Sequence, residues 1–332
     1  MARHPTPPPV AFQTILGDHP SVVQLRDLVG RVARSKAGIV LIYGETGTGK
    51  GLVARTLHAQ SDRAKNNFTE INCAAIPGNL LESELFGHER GAFTGAVERK
   101  IGLLEIASGG SVFLDEIREL DPVMQAKLLT LLDTRGFRRI GSVQELSTNA
   151  RFIAATNKIL LNEVTAGKFR DDLYYRLQVV SINIPPLRDR GDDVQLLADR
   201  LLEKYNVQHE SHFNQIDPAV REIFRQYRWP GNVRELGNLL ERICILEEGE
   251  RIEEKHLPAR IVREVLKHPN DTSGSTTPSD YFEQTKQFQK ALLDAALQRS
   301  RGNVTQAADQ LGISRHALRH QLAKLDMAQS KN

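Results

Sequence analysis

The chain has 332 residues, 40% hydrophobic and 26% charged, with a formal net charge of +3, which suits about two or three globular domains. It holds no apolar run long enough for a membrane-spanning helix. Met1 to Pro9 contains one Arg and four Pro without an apolar segment, so it is not read as a secretory signal.

Cys73 and Cys244 are the only cysteines, and both sit in apolar text. A disulfide framework and a cysteine zinc site are therefore not expected, and the chain reads as reduced and cytoplasmic. From Tyr281 onward eight Lys and Arg face four Asp and Glu, so +4 collects in the last fifty-odd residues.

Residues 1–13 are Pro-rich and expected to be disordered. Val22, Leu25, Leu28, Val29 and Val32 have the spacing of an amphipathic helix. Ile39 to Tyr43 then forms an apolar run into Gly44-Glu45-Thr46-Gly47-Thr48-Gly49-Lys50, followed by helical text. Strand, glycine-rich turn and helix are the context of a phosphate-binding loop. The glycines let backbone N–H groups turn inward as an anion nest, the helix adds its positive end, and Lys50 is placed to reach the β- and γ-phosphates of ATP. The alternative is a surface Gly-Thr turn. Gly51 stands where many such loops place a Ser or Thr on the magnesium, so other groups must hold Mg2+.

Phe68 to Asn72 reads as a short strand. The stretch Gly91-Ala92-Phe93-Thr94-Gly95-Ala96 is a poor helix and a poor strand, which leaves either a mobile loop exposing Phe93 or a hairpin lining the core. Ser111 to Glu116 is an apolar strand ending in two acids, and strand ends are where ligands sit in open α/β sheets. Asp115 suits magnesium, directly or through water, and Glu116 suits polarising an attacking water; the alternative is a helix cap. Arg151 to Asn157 is a further strand whose last residues, Thr156 and Asn157, are suited to orient water. Arg170 and Arg176 lie in helical text and are by default surface arginines.

From Leu187 the pattern turns all-helical, with Trp229-Pro230-Gly231-Asn232 as a turn and Asn232 as an N-cap. Arg234 sits in the first turn of that helix, where a cation opposes the dipole and so points to a function. His268 to Asp280 has linker composition. Beyond it, helices over Phe282–Leu297 and Val304–Leu311, a Gly312-Ile313-Ser314 turn and a third helix to Leu325 form a helix-turn-helix pattern. Arg315, His316, Arg319 and His320 lie on the outer face of the third helix, suited to a DNA major groove.

Gly44 to Lys50, Leu85 to Glu89, the hexapeptide Gly91 to Ala96, Phe113 to Glu116 and Trp229 to Leu236 together resemble the sigma-54-dependent bacterial enhancer-binding activators, which are AAA+ ATPases. The resemblance covers about 14 to 265, and the C-terminal part is similar to their Fis-type helix-turn-helix. It implies an α/β fold: a P-loop NTPase core of parallel sheet and flanking helices over 14–187, an α-helical lid over 188–266, a linker over 267–280 and an all-α DNA-binding domain over 281–332. It further implies that Asp115 and Glu116 are the Walker B pair, that Asn72 switches Glu116 with nucleotide state, and that Thr156 and Asn157 are sensor I. Arg170 and Arg176 match arginine fingers acting on a neighbouring subunit, Arg234 matches sensor II, and Phe93 and Thr94 head the loop that touches sigma-54. The stretch Arg135 to Gly141 resembles the second pore-side loop. Gly51 replaces a Glu common in the family, which itself lacks the Ser/Thr; Arg118 stands where a Gly is common.

The implied partners are sigma-54 RNA polymerase holoenzyme, upstream enhancer DNA and further copies of the chain, expected as dimers when inactive and as a hexameric ring when active. On this resemblance the chain is expected to lack the family's N-terminal sensory domain, as the phage-shock and Hrp-type members do, with control in trans from a regulatory protein or through expression level. A replication initiator or loader also joins AAA+ to helix-turn-helix but should lack the Gly91–Ala96 loop; a repressor with a structural nucleotide site would not need Asp115, Glu116, Arg170 and Arg176. If the two modules are separate, replacing Arg315 and Arg319 by Ala weakens enhancer binding in a gel-shift titration and leaves ATP hydrolysis intact; equal loss of both would reject that division.

Overall fold

The computed structural model describes residues 14–267, 293, 296–300, 303–310 and 318. Five strands build the central sheet: β1 (Ile39–Tyr43), β2 (Phe68–Asn72), β3 (Ser111–Asp115), β4 (Arg151–Thr156) and β5 (Ser181–Asn183). Their order is β2-β3-β4-β1-β5 and every pairing is parallel. β1 and β4 are buried at every position, which accounts for their almost unbroken apolar text: helices cover both faces of such a sheet, so there is no solvent side to alternate with. Tyr43 pairs with Thr156, and Asn72 with Asp115. That register brings the C-terminal ends of four strands to one edge, from which the chemistry-bearing turns emerge.

Helices α1 (Pro20–Arg34) and α2 (Lys50–Ala59) cover one face, with Val22, Leu25, Val29, Val53 and Leu57 packed on Val40, Ile42, Phe113 and Ile153. Because side chains alternate along a strand, Leu114 and Phe152 point the other way, where they meet Leu85, Phe86, Leu104, Met124 and Leu128. These belong to α3 (Gly78–Phe86), α4 (Leu103–Ile106) and α5 (Pro122–Thr134). α6 (Leu160–Thr165) and α7 (Asp171–Leu177) follow β4. Arg151, only 2% exposed, donates to the carbonyls of Val32 and Ala33 at 2.6 and 3.1 Å. It thereby joins Ser35, whose N–H and hydroxyl also donate to Val32, in satisfying the acceptors at the end of α1, where a cation meets the negative helix terminus.

α8 (Asp193–His209), α9 (Pro218–Gln226), α10 (Asn232–Leu246) and α11 (Ala259–Lys267) share a second apolar cluster. Trp229 sits within it, 1% exposed, edge-on to Phe224 and Tyr227, with its Nε1–H donating to the Phe224 carbonyl at 2.8 Å. The helical text past Leu187 is interrupted before α11. Glu254–His256 is a single 3₁₀ turn and α11 starts at Ala259, because Pro258 holds the preceding Leu257 extended.

The chain divides into two compact units, Met1–Pro269 and Asn270–Asn332. In the second, α12 (Val304–Gln310) is opened by Asn303, whose Oδ1 accepts the N–H groups of Thr305 and Gln306. Ala307, Ala308 and Leu318 are buried with Leu293 and Ala296, as the helix-turn-helix pattern requires. Arg315, His316, Arg319 and His320 lie outside the described residues. Among the described residues no helix is long and apolar enough to cross a membrane.

Trp229→Ala removes the largest side chain of the helical cluster and orphans the Phe224 carbonyl. It is expected to cost about 3–5 kcal/mol, read as a lower urea midpoint, with α8–α11 losing amide-exchange protection first.

Candidate nucleotide site and effector loop

β1 ends at Tyr43 and the chain turns through Gly44–Gly49 into α2. Gly47 and Gly49 adopt φ of 82° and 104°, a region open to glycine without the Cβ clash that other residues meet. No side chain caps α2, so the first-turn N–H groups and the positive end of the helix face the loop. Lys50 is 7% exposed; its Nζ donates to the Gly44 carbonyl at 3.1 Å and lies 3.2 Å from Glu116 Oε1. Thr48 closes the turn, its hydroxyl donating to the Glu45 carbonyl at 2.8 Å. Gly51 lies against the exposed Arg55, which pairs with Glu70 at 2.5 Å; it makes no contact that would hold a metal.

β3 delivers the acids. Asp115 is the last strand residue and its Oδ1 accepts the Glu116 N–H at 3.0 Å. Burial holds the Asp115 carboxyl above its ordinary range, against the pull of Lys50, and the Glu116 charge pushes the same way as burial. Glu116 has φ 51° and ψ 50°, a left-handed conformation costing a non-glycine residue about 1–3 kcal/mol, and this turn carries its carboxylate back towards Lys50. Asn157 completes the cluster: its N–H donates to Glu116 Oε2 at 3.3 Å and its Nδ2 to Thr46 Oγ1 at 3.1 Å. Loop, acid and the end of β4 are thus joined. Next to them the Cys73 thiol is pushed up to about 12, chiefly by burial and then by the Asp115 charge, so it is no nucleophile.

Not every expected residue joins this cluster. Thr156 is fully buried, exchanging hydrogen bonds with the Lys158 backbone, and only its carbonyl reaches the loop, accepting Gly44 N–H at 3.2 Å. Asn72 is exposed, and its Oδ1 accepts the Ala74 N–H at 2.9 Å. Arg170 pairs with Asp172 at 2.7 Å; Arg176 pairs with Asp133 and donates to the Leu132 carbonyl, both at 2.9 Å. None of these partners belongs to the loop or the acid pair. Arg234 is exposed; its N–H donates to the Gly47 carbonyl at 3.3 Å and its charge pulls Asp115 down.

Asn232 departs from the expected N-cap. It is the first residue of α10, with φ 50° and no exposure. Its Nδ2 donates to Glu45 Oε2 and to the Thr46 carbonyl, both at 3.1 Å, while its Oδ1 accepts the Leu187 N–H at 2.8 Å. Its side chain satisfies the phosphate loop instead of its own helix, and Glu235 takes the Gly231 N–H. Two arginines not foreseen from the sequence work beside it. Arg188 forms a fork on Glu45 at 2.6 and 2.9 Å and, as the leading cause, holds that carboxyl low. Arg190 donates to the carbonyls of Pro185 and Thr48, and burial brings its guanidinium down to about 10. The only available signal was the Arg-x-Arg after Pro185-Pro186, which reads as a strand end. At Gly47 an added Cβ would lie 2.1 Å from the Gly231 carbonyl, so the glycine serves loop geometry and lid contact alike.

The Gly91–Ala96 segment caps an antiparallel ribbon, with Gly87 opposite Ile101 and His88 opposite Lys100. Gly91 N–H donates to the Ala96 carbonyl at 2.8 Å and Ala96 N–H to Phe93 at 3.0 Å. Phe93 is 41% exposed, its ring 5.0 Å from His88, so the segment is a turn presenting an aromatic rather than a core-lining hairpin. Its base is tied to the Arg135–Gly141 stretch. Glu89 N–H donates to the Ile140 carbonyl, and the buried Arg139 bonds Glu89 at 2.8 Å and both oxygens of Glu105.

These residues fit a nucleotide with its metal. A desolvated carboxyl beside a glycine-lined helix end seeks a cation, and an uncapped N-terminus with Lys50 seeks an anion. Since the Asp115 pKa is raised, its charge disfavours the fold once pH rises past that value and the cost vanishes as pH falls below the ordinary carboxyl range. Asp115→Asn is therefore expected to raise the thermal midpoint at pH 7.5 without nucleotide, while metal-dependent hydrolysis falls to background. A lower midpoint at that pH would contradict the sign.

Family models describe the same layout: a sigma-54 interaction domain matches residues 15–183, an AAA+ ATPase lid domain 188–274 and the Fis family of bacterial regulatory proteins 285–325. Regulatory protein AtoC of Escherichia coli is 43% identical over 93% of this chain and 67% of its own length. Transcriptional regulatory protein ZraR of Klebsiella oxytoca is 44% identical over 96% and 70%. The crystal structure of NtrX from Brucella abortus with ADP superposes with a TM-score of 0.71 at 32% identity, covering 95% of this chain and 69% of that one; the complex with ATP gives 0.69 at 33%, over 93% and 68%. With this fold, phosphate loop and acid pair, the chain belongs to the sigma-54-dependent enhancer-binding transcriptional activators, joining a AAA+ P-loop NTPase domain to a Fis-type DNA-binding domain.

Proposed function

We propose that this chain hydrolyses ATP and uses the cycle to remodel the closed complex of sigma-54 RNA polymerase at a promoter into the open complex. The observation that carries the reading is the connection of Lys50, Glu116, Asn157 and Thr46 at one edge of the sheet, on a core that also presents Phe93. The loop N–H groups of 44–50 and Lys50 bind and orient the ATP phosphates. Asp115 would hold magnesium, directly or through water. Magnesium, when bound, offsets phosphate charge. Glu116 polarises the attacking water and accepts its proton as the new P–O bond forms and the bond to the ADP oxygen breaks. Asn157 steadies Glu116 and Thr46 against each other.

Arg170 and Arg176 are engaged away from their own loop, at 47% and 42% side-chain exposure. That supports their action on the site of a neighbouring subunit in a ring, with Arg234 reporting nucleotide state to the lid. An arginine supplied this way contributes on the order of 10³–10⁵ in rate in other phosphoryl-transfer systems. Asn72 is one strand away from Asp115 and, on rotating off Ala74, becomes a partner for Glu116. The tie between Arg139, Glu89 and Glu105 links the second loop to the base of the first, through which nucleotide state reaches Phe93 and Thr94. The Fis-type domain tethers the ring to enhancer DNA and raises its local concentration at the polymerase.

Thr94→Ala is expected to keep hydrolysis within about twofold of wild type while open-complex formation with purified sigma-54 holoenzyme falls at least about tenfold. Parallel ATPase and permanganate-footprint assays test this. A wild-type chain that hydrolyses ATP yet never engages sigma-54 would instead favour a remodeller of another target.

A further inference from the structure

Arg118 follows the acid pair in the 3₁₀ turn Ile117–Glu119, anchored by the fully buried Ile117. Its guanidinium turns back to the site and is 22% exposed. Nε donates to Asn157 Oδ1 at 3.1 Å and lies 3.9 Å from Glu116 Oε2, while Nη2 is 2.5 Å from Glu119 Oε1. Its Cα lies two residues beyond Glu116, so its reach to Asn157 spans 39 positions of sequence.

A carboxamide can present either end to a partner, and its neighbours decide which. A guanidinium only donates, so Arg118 requires Asn157 to turn Oδ1 towards it; Nδ2 is then left facing Thr46 Oγ1. Arg118 also adds positive charge beside the Glu116 oxygen that already accepts the Asn157 N–H. The other oxygen of Glu116 faces Lys50. Lys50 already divides its three donors between Glu116 and the Gly44 carbonyl, and an arriving phosphate competes with Glu116 for it. Once it is drawn to a nucleotide, Asn157 N–H and Arg118 are the partners that remain to Glu116 among the described residues.

We infer that Arg118 is a positioning residue for hydrolysis: it fixes the orientation of Asn157 and retains Glu116 when Lys50 turns to the phosphates. This rests on the ATPase reading above. A small residue at 118 would leave both tasks to Asn157 alone, so this chain has a device its own sequence supplies.

The test compares the full-length chain with Arg118→Ala and Arg118→Lys. It measures kcat and KM for ATP hydrolysis, equilibrium binding of a fluorescent N-methylanthraniloyl-ADP, and thermal midpoints. Arg118→Ala is expected to lower kcat about tenfold, the loss of one charge-assisted contact, with KM and ADP affinity changed by less than about twofold. Arg118→Lys restores the charge without the planar fork and is expected to recover about a third of the lost rate. Unchanged kcat in Arg118→Ala overturns the inference, as does a parallel loss of kcat and ADP affinity or a lysine variant no better than alanine. A wild-type chain that binds the ADP probe but hydrolyses no ATP overturns the ATPase reading itself, a result distinct from these.

Discussion

An ammonium group taken out of water must find counter-charge, and Lys50 meets that demand with the Gly44 carbonyl and the Glu116 carboxylate. The same need runs in reverse for Asp115 and Glu116, two acids on adjacent residues at a desolvated strand end. Charge balance therefore places the end of β3 against the start of α2. The parallel register of β3, β4 and β1 makes that placement possible by bringing their ends to one edge. A ligand with phosphates and a divalent cation supplies the same balance from outside: anion to Lys50, cation to Asp115. This is why an arrangement stable without nucleotide is also poised to accept one.

A second consequence concerns the lid. Its contact with the phosphate loop is made of polar side chains that leave few groups unsatisfied: Asn232 on Glu45 and Thr46, Arg188 on Glu45, Arg190 on Thr48. Gly47 admits the Gly231 carbonyl where a Cβ would collide. A lid held by directional bonds and one close backbone approach responds to small shifts of the loop, whereas an apolar interface would slide. The buried clusters of sheet and lid are distinct, joined by Leu16 packing on the lid cluster and by Asp193 accepting the Asp18 and His19 N–H groups.

Much of this is legible in the amino-acid sequence, and the rest is not, for a physical reason. The strand–loop–helix of 39–59, the acids after β3 and the all-helical pattern past Leu187 depend on backbone preference and periodicity, which neighbours in sequence display. Asn232 was legible as a polar residue at a helix start, and capping is the usual use for one; its actual partners lie 187 and 186 positions away. Thr156 and Asn157 were equivalent in sequence, yet Thr156 is the last residue of a strand buried at every position, whereas Asn157 lies just past its end, within reach of Thr46. Whether Phe93 faces core or solvent was open because a Gly-flanked hexapeptide allows both; the ribbon of Gly87–His88 with Lys100–Ile101 and the seat on His88 decide it.

The sequence alone therefore determined which elements form and which residue types carry the chemistry: a glycine loop ending in Lys50, Asp115 with Glu116 at a strand end, and an all-helical pattern past Leu187. These follow from local conformational freedom and from the period of apolar residues. Only the tertiary structure decided partners, because a side chain's orientation at a strand end is set by register and by what packs opposite. That is how Arg118 comes to Asn157, Arg188 to Glu45 and Asn232 to the phosphate loop.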